Sequence, residues 1–209
     1  MCGQTPLEEA RELAKNCKKC ELSLTRTQVV WGTGPIDAQI MFVGEAPGKN
    51  EDLGGAPFSG MAGKVLDELL ASADLDRSEV YITNVVKCRP PQNRNPKVAE
   101  TKACLPYLEE QILQISPQLV VTLGTYATRA VLKGSVHEKE SIGTLQGTVV
   151  KKGKEESISP GKHNDFSVLP LYHPAATMYD RKKKEPFLEA ASTLRSINED
   201  TQFHLSQCR

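Results

Sequence analysis

Glu45, Asn84 and His173 are the polar residues of this 209-residue chain best placed to do chemistry, because each stands at the end of a short apolar run. A carboxylate such as Glu45, in GEAPG, can orient water or stabilise a positive charge. Asn84 offers a donor and an acceptor in one plane, so it can pair with an amide-like edge of a ligand. His173, directly before Pro174, can donate a hydrogen bond to a developing anion. Phe58, in the glycine-rich PFSG, adds an aromatic face. One ring, one amide, one electrophilic donor and one carboxylate describe a slot for a flat heterocycle. A nucleobase fits such a slot, held by stacking and by hydrogen bonds to its edge.

The cysteines form a second constellation. Cys17, Cys20, Cys88 and Cys104 follow the pattern C-x2-C-x67-C-x15-C, while Cys2 and Cys208 lie near the ends. Four thiolates suit zinc and an iron–sulfur cluster equally well by softness. A zinc ribbon carries two C-x2-C knuckles, and this chain carries one. The residues alone leave the metal open.

These groups need elements to position them. Residues 39–43, 80–86, 119–123 and 166–172 read as buried strands, and helical patterns separate them over 64–73, 97–115 and 125–132. Alternation of this kind predicts an α/β fold with a parallel sheet, here of four strands, flanked by helices. In such sheets ligands bind beyond the carboxyl ends of the strands. The loop between the first strand and its helix, rich in Gly and Pro, gathers backbone amides there. An N-terminal helix begins at Thr5, with Pro6 and Glu8 completing a capping box, and places Leu7, Ala10, Leu13 and Ala14 on one face. Pro106 predicts a kink or break in the 97–115 helix. Residues 143–150 suggest a hairpin or irregular β segment, and 151–164 a mobile loop. A closing helix starts at 184 or 185 and runs to 198. Size favours one domain over 1–209, with loosely held ends at 1–4 and 200–209.

Lys plus Arg and Asp plus Glu each number 26, so net charge gives no sign of a nucleic-acid partner. Any such surface must be a local patch. Lys87, Arg89, Arg94 and Lys97 form one candidate clamp for phosphates, and Arg181 with the three lysines after it forms another. No run of apolar residues approaches membrane-spanning length and no signal peptide is visible, which predicts a cytoplasmic chain without a membrane partner.

The ordered set GEAPGKNED, PFSG, ITNVVKCRPPQNRNP, YHPA and the four cysteines resembles the family 4, or iron–sulfur, uracil-DNA glycosylases, over roughly residues 17–174. The resemblance implies a 4Fe-4S cluster on Cys17, Cys20, Cys88 and Cys104. It implies that Gly44, Glu45 and Ala46 contact uracil, that Phe58 stacks on it, that Asn84 reads its N3–H and O4 edge, and that His173 bonds its O2. Glu45 and His173 would be the catalytic pair, and Arg89, Arg94 and Arg181 would meet DNA. The partner would be uracil-containing DNA, single- or double-stranded, and the enzyme a monomer. Ala46 and Gly48 stand where the better-known family 1 enzymes have an aspartate and a tyrosine. The arginine-rich insertion of a covalently DNA-linking branch is missing, so hydrolysis is implied. Three rivals stand beside it: a sister glycosylase of the same superfamily for other deaminated or mismatched bases, a non-catalytic iron–sulfur DNA-binding protein, and a zinc-stabilised nucleotide-binding module.

Overall fold

The computed structural model describes residues 5–135, 137–152 and 166–207. It begins with α1 (Pro6–Lys15), whose cap is the predicted box: the Thr5 hydroxyl accepts from the Glu8 amide, and the Glu8 carboxylate accepts from the Thr5 amide. Ala10 and Ala14 face the core, but Leu13 is 68% exposed, so the buried stripe is narrower than its periodicity suggests.

The chain then enters β1 (Ile40–Gly44), which leads through the glycine-rich loop into a short α2 (Lys49–Gly54) and then α3 (Met61–Ser72). Next come β2 (Tyr81–Asn84), α4 (Val98–Ile115), β3 (Leu119–Leu123) and α5 (Thr125–Val131). The remaining elements are α6 (Ile142–Leu145), β4 (Val150–Lys152), β5 (Phe166–Leu171), α7 (Pro174–Thr177) and α8 (Arg181–Gln207). Pro106 lies within α4 without ending it. Its ring is exposed, so the hydrogen bond that a proline forfeits is lost on the wet side of the helix.

The sheet has five strands in the order β2-β1-β3-β5-β4, which corrects the expected four. The first four in that order are parallel, and β4 adds an antiparallel edge beside β5. This edge and the single turn of α6 replace the expected hairpin over 143–150. The expected mobile loop over 151–164 falls, apart from its first two residues, outside the described residues, as do 1–4 and 208–209. The closing helix starts earlier than predicted and continues to Gln207, through most of the stretch expected to be loose.

Both faces of the sheet are covered. Along β1, Met41 and Val43 join one core with Tyr107, Leu108 and Ile112 of α4. Ile40 and Phe42 join the other, with Leu66 and Leu69 of α3 and Phe187, Ala190 and Leu194 of α8. Strands buried on both sides are continuous apolar runs, which is why they were visible in the sequence.

The parallel registers pair Gly44 with Asn84, and Leu123 with Leu171. The carboxyl ends of β1, β2, β3 and β5 therefore share one edge. Pairing persists past the strand ends, where the Val85 and Val86 amides donate to the Gly44 and Glu45 carbonyls at 2.9 and 3.0 Å. On the far side of this loop, Asp52 is buried and accepts from the backbone amide of Thr27 at 3.0 and 3.1 Å and from that of Gln28 at 3.5 Å. Losing that carboxylate removes the side-chain acceptor of the Thr27 amide and unties the 27–28 backbone from the loop. Asp52→Ala should lower the stability by about 1–3 kcal/mol, read as a reduced midpoint in urea with an unchanged slope.

Candidate active site

A cleft of about 550 Å³ opens at the shared strand edge, lined in part by Glu45, Ala46, Phe58, Asn84, Arg94 and His173. Residues from five separate stretches of sequence meet there. Gly44 lies behind the lining. A Cβ at that position would fall 2.3 Å from Asn84 Oδ1 and 2.5 Å from Phe58 Cζ. The absence of a side chain at 44 is what lets the amide and the ring sit side by side.

Phe58 is held firmly. Its backbone is left-handed, with φ at 51°, a conformation that costs a non-glycine residue about 1–2 kcal/mol. Arg77 Nη2 donates to the carbonyls of Pro57 at 2.7 Å and Phe58 at 3.0 Å, while its Nη1 pairs with Asp67 at 2.6 Å. Gly63 must also be bare, because a Cβ there would meet the Phe58 carbonyl. Glu51 accepts from the Gly60 amide at 2.9 Å and closes the loop.

Asn84 is 3% exposed. Its backbone carbonyl accepts from Lys87 Nζ at 2.6 Å, and its side-chain amide lines the cleft. His173 caps α7: the Ala175 amide donates to His173 Nδ1 at 3.2 Å. An accepting Nδ1 places the ring proton on Nε2, leaving Nε2–H to donate. The rings of Phe58 and His173 lie 5.9 Å apart at 32°. Gly124, at φ 91°, lets the β3 end pass close to His173 Cβ.

Burial moves the two titratable groups in opposite senses. It raises the Glu45 carboxyl above its ordinary value. It lowers the His173 imidazole to about 4. Both shifts disfavour charge. The cleft therefore holds a neutral imidazole donor and a carboxyl of increased basicity.

The cysteines form a second centre. Cys17, Cys20, Cys88 and Cys104 line one pocket with Arg26, Lys87 and Tyr107. Arg26 Nη1 lies 3.1 Å from Cys88 Sγ, and the Lys87 amide lies 3.2 Å from Cys104 Sγ. Among the described residues, no three His, Cys, Asp or Glu side chains are grouped so as to hold a single ion. Burial pushes the Cys88 thiol up, and that of Cys104 to about 11.

A model of the uracil DNA glycosylase superfamily matches residues 31–195. The chain belongs to the uracil-DNA glycosylase superfamily. It is 43% identical to a Type-4 uracil-DNA glycosylase of Sulfurisphaera tokodaii over 193 residues, covering 91% of this chain and 84% of that protein. A Type-4 uracil-DNA glycosylase of Saccharolobus solfataricus is 45% identical over 167 residues, 79% of this chain and 74% of its own. One from Thermotoga maritima is 40% identical over 180 residues, 85% and 86% of the two chains.

In this member of the superfamily the basic residues divide. Lys87 is 1% exposed, so its side chain cannot clamp phosphate as its place in a basic loop suggests. Burial also pushes its ammonium down to about 7, opposed by the neighbouring Cys104 and Cys88. Arg94 lines the cleft but grips the buried Glu100 through both Nη atoms, at 2.8 and 2.6 Å. Arg89 donates through Nε to Asn93 at 2.8 Å, Lys97 pairs with Glu21 at 3.1 Å, and Arg181 is exposed at the start of α8. Arg89 and Arg181 are not in the cleft lining. The supporting residues Asp52 and Arg77 are not legible in the sequence, since their roles depend on chain segments far away in it. Gly63, in the glycine-rich loop, and Gly124, at the end of an expected strand, stand out in the sequence, but their close approaches to Phe58 and His173 do not.

The imidazole shift predicts a definite pH behaviour. Folded His173 titrates near 4, below its ordinary 6.5, so the unfolded chain binds more protons between those values. Its contribution to stability is complete above pH 6.5 and declines as pH falls toward 4. Nitrogen NMR should find His173 neutral, with the proton on Nε2, from pH 5 to 8. An imidazolium at pH 6 would contradict the geometry.

Proposed function

We propose that this chain excises uracil from DNA, hydrolysing the N-glycosidic bond to leave an abasic site for base-excision repair. The observation that carries the proposal is the single cleft in which Phe58, Asn84, Glu45 and a neutral His173 converge. The 40–45% identity to proteins named Type-4 uracil-DNA glycosylases supports it. The enzyme works as a monomer inside the cell, on single- or double-stranded DNA. Among the described residues no helix is long and apolar enough to cross a membrane.

The chemistry follows from the groups present. An extruded uracil enters the slot, with Phe58 against its face and the Asn84 amide on its N3–H and O4 edge. Glu45 and Ala46 complete the wall, with Gly44 behind it. The bond between the base nitrogen and the sugar carbon breaks with its electron pair leaving on uracil, where charge gathers at O2. His173 Nε2–H donates to that oxygen. Because the donor is fixed beforehand and the charge appears only as the bond breaks, the contact favours the transition state over the ground state. Water adds to the cationic sugar carbon and loses a proton, and the uracil anion is protonated in turn. Glu45 serves this step through a carboxylate that burial has made more basic, as proton acceptor or as counter-charge. Arg89, Arg94 and Arg181 supply positive potential to the phosphates, with Arg94 also locking the 90–97 loop through Glu100.

The proposal includes a 4Fe-4S cluster on Cys17, Cys20, Cys88 and Cys104. An all-thiolate set suits it. The nearby Arg26 guanidinium and Lys87 amide would offset thiolate charge. When bound, the cluster supplies cross-links that pin the α1 end to the segment after β2 and to α4.

Two experiments test these assignments. In single-turnover excision from a uracil-containing oligonucleotide, His173→Ala should be slower by about 100- to 1000-fold, with DNA binding little changed. His137→Ala, outside the cleft lining, should match the wild type. Equal rates for the two variants would remove His173 from the mechanism. For the cofactor, Cys88→Ser should abolish visible absorption and lower stability, because ligation is coupled to folding. Stoichiometric zinc without iron in anaerobically purified protein would refute the cluster.

A further inference from the structure

We infer that Lys87 is a positioning residue for Asn84, holding the base-reading amide in place from behind the cleft. The inference rests on the proposed role of Asn84 in reading the base. Lys87 is buried as deeply as any core residue, yet it carries a strongly polar end. All three hydrogens on Nζ have partners. It donates to the Asn84 carbonyl at 2.6 Å, to Thr83 Oγ1 at 2.7 Å, and to Gln111 Oε1. The indole of Trp31 lies 5.6 Å from the same nitrogen. Among the described residues no carboxylate pairs with it. Fixed dipoles and one ring face surround it, and these dipoles are themselves fastened. Gln111 Nε2 donates to the Trp31 carbonyl at 2.9 Å and to the Tyr81 hydroxyl at 3.0 Å, and Thr83 Oγ1 donates to the Trp31 carbonyl at 2.8 Å.

The consequence for the site lies in the direction of the bond. Lys87 folds back over three residues to grip the last carbonyl of β2. That grip fixes the peptide plane at Asn84, and the plane sets where the side-chain amide points. At the other end, the Lys87 backbone carbonyl accepts from Val30 at 2.8 Å and its amide faces Cys104. One residue thus ties the cysteine pocket to the residue proposed to read the base. A buried network in which every member is satisfied confers rigidity, and losing one donor leaves several acceptors bare.

The test is a double-mutant cycle on the full-length protein, using single-turnover excision from a single-stranded oligonucleotide with one uracil. Lys87→Met keeps the length of the side chain and removes the donor. It should slow excision by roughly ten- to a hundredfold. In an Asn84→Ala background the same change should cost about twofold at most, because the amide it positions is gone. A network that only supports the fold would slow both backgrounds by the same factor, and that result overturns the inference. So does an unchanged rate for Lys87→Met alone. If Lys87→Met does not fold, as judged by urea unfolding, Lys87→Gln is carried through the same cycle with the same expectation of coupling. Should Asn84→Ala itself be as active as wild type, the base-reading role falls and takes this inference with it. A slow Asn84→Ala with no coupling refutes Lys87 alone.

Discussion

The site depends on one close approach: the amide of Asn84 and the ring of Phe58 occupy the space that a side chain at position 44 would fill. Two parallel strands in register bring position 44 opposite Asn84. Phe58 reaches the same point only by adopting a left-handed backbone, held there by Arg77 and by the missing side chain at Gly63. A strained residue at a binding wall persists only where its surroundings over-determine it. Here Arg77 donates to the loop and Glu51 accepts from it, which keeps one ring beside one amide.

Electrostatically, the cleft works through what burial does to ionisable groups. The same withdrawal of water lowers His173 to about 4 and raises Glu45. In the proposed mechanism a neutral imidazole would donate to an oxygen that becomes negative, and no charge on the enzyme would have to be created beforehand. The hydrogen bond from the Ala175 amide selects the tautomer. Thus a one-turn helix of four residues, α7, determines which ring nitrogen carries the proton.

Behind the cleft, polar groups are buried where a simpler fold would place hydrocarbon. Lys87, Gln111 and Thr83 are almost inaccessible, and the same face of the sheet meets the cysteine pocket. Buried polar groups are costly unless each is paired. Among the described residues, no buried side-chain nitrogen or oxygen lacks a partner. The fold can therefore afford a rigid polar strut between α4 and β2, where it bears on the geometry of the amide.

What the sequence determined by itself is what local patterning can carry. Strands buried on both faces are runs of apolar residues, so β1, β2, β3 and β5 were legible, and β3 matched residue for residue. The Thr5 capping box is a contact between neighbours and needs no tertiary context. The chemistry-bearing residues were legible because a parallel sheet presents its carboxyl ends together. Only tertiary structure decided the rest. β4 is three residues long, two of them lysines, and becomes a strand because β5 offers it an edge. Leu13 is exposed because α1 packs through a narrower stripe than its periodicity offers. Lys87 reads as a surface charge beside Arg89, but Gln111, on α4, supplies the acceptor that lets it be buried. Arg94 reads as a free cation until Glu100 takes its fork. Charge is a property of a residue, whereas burial and pairing belong to segments that meet only when the chain is folded.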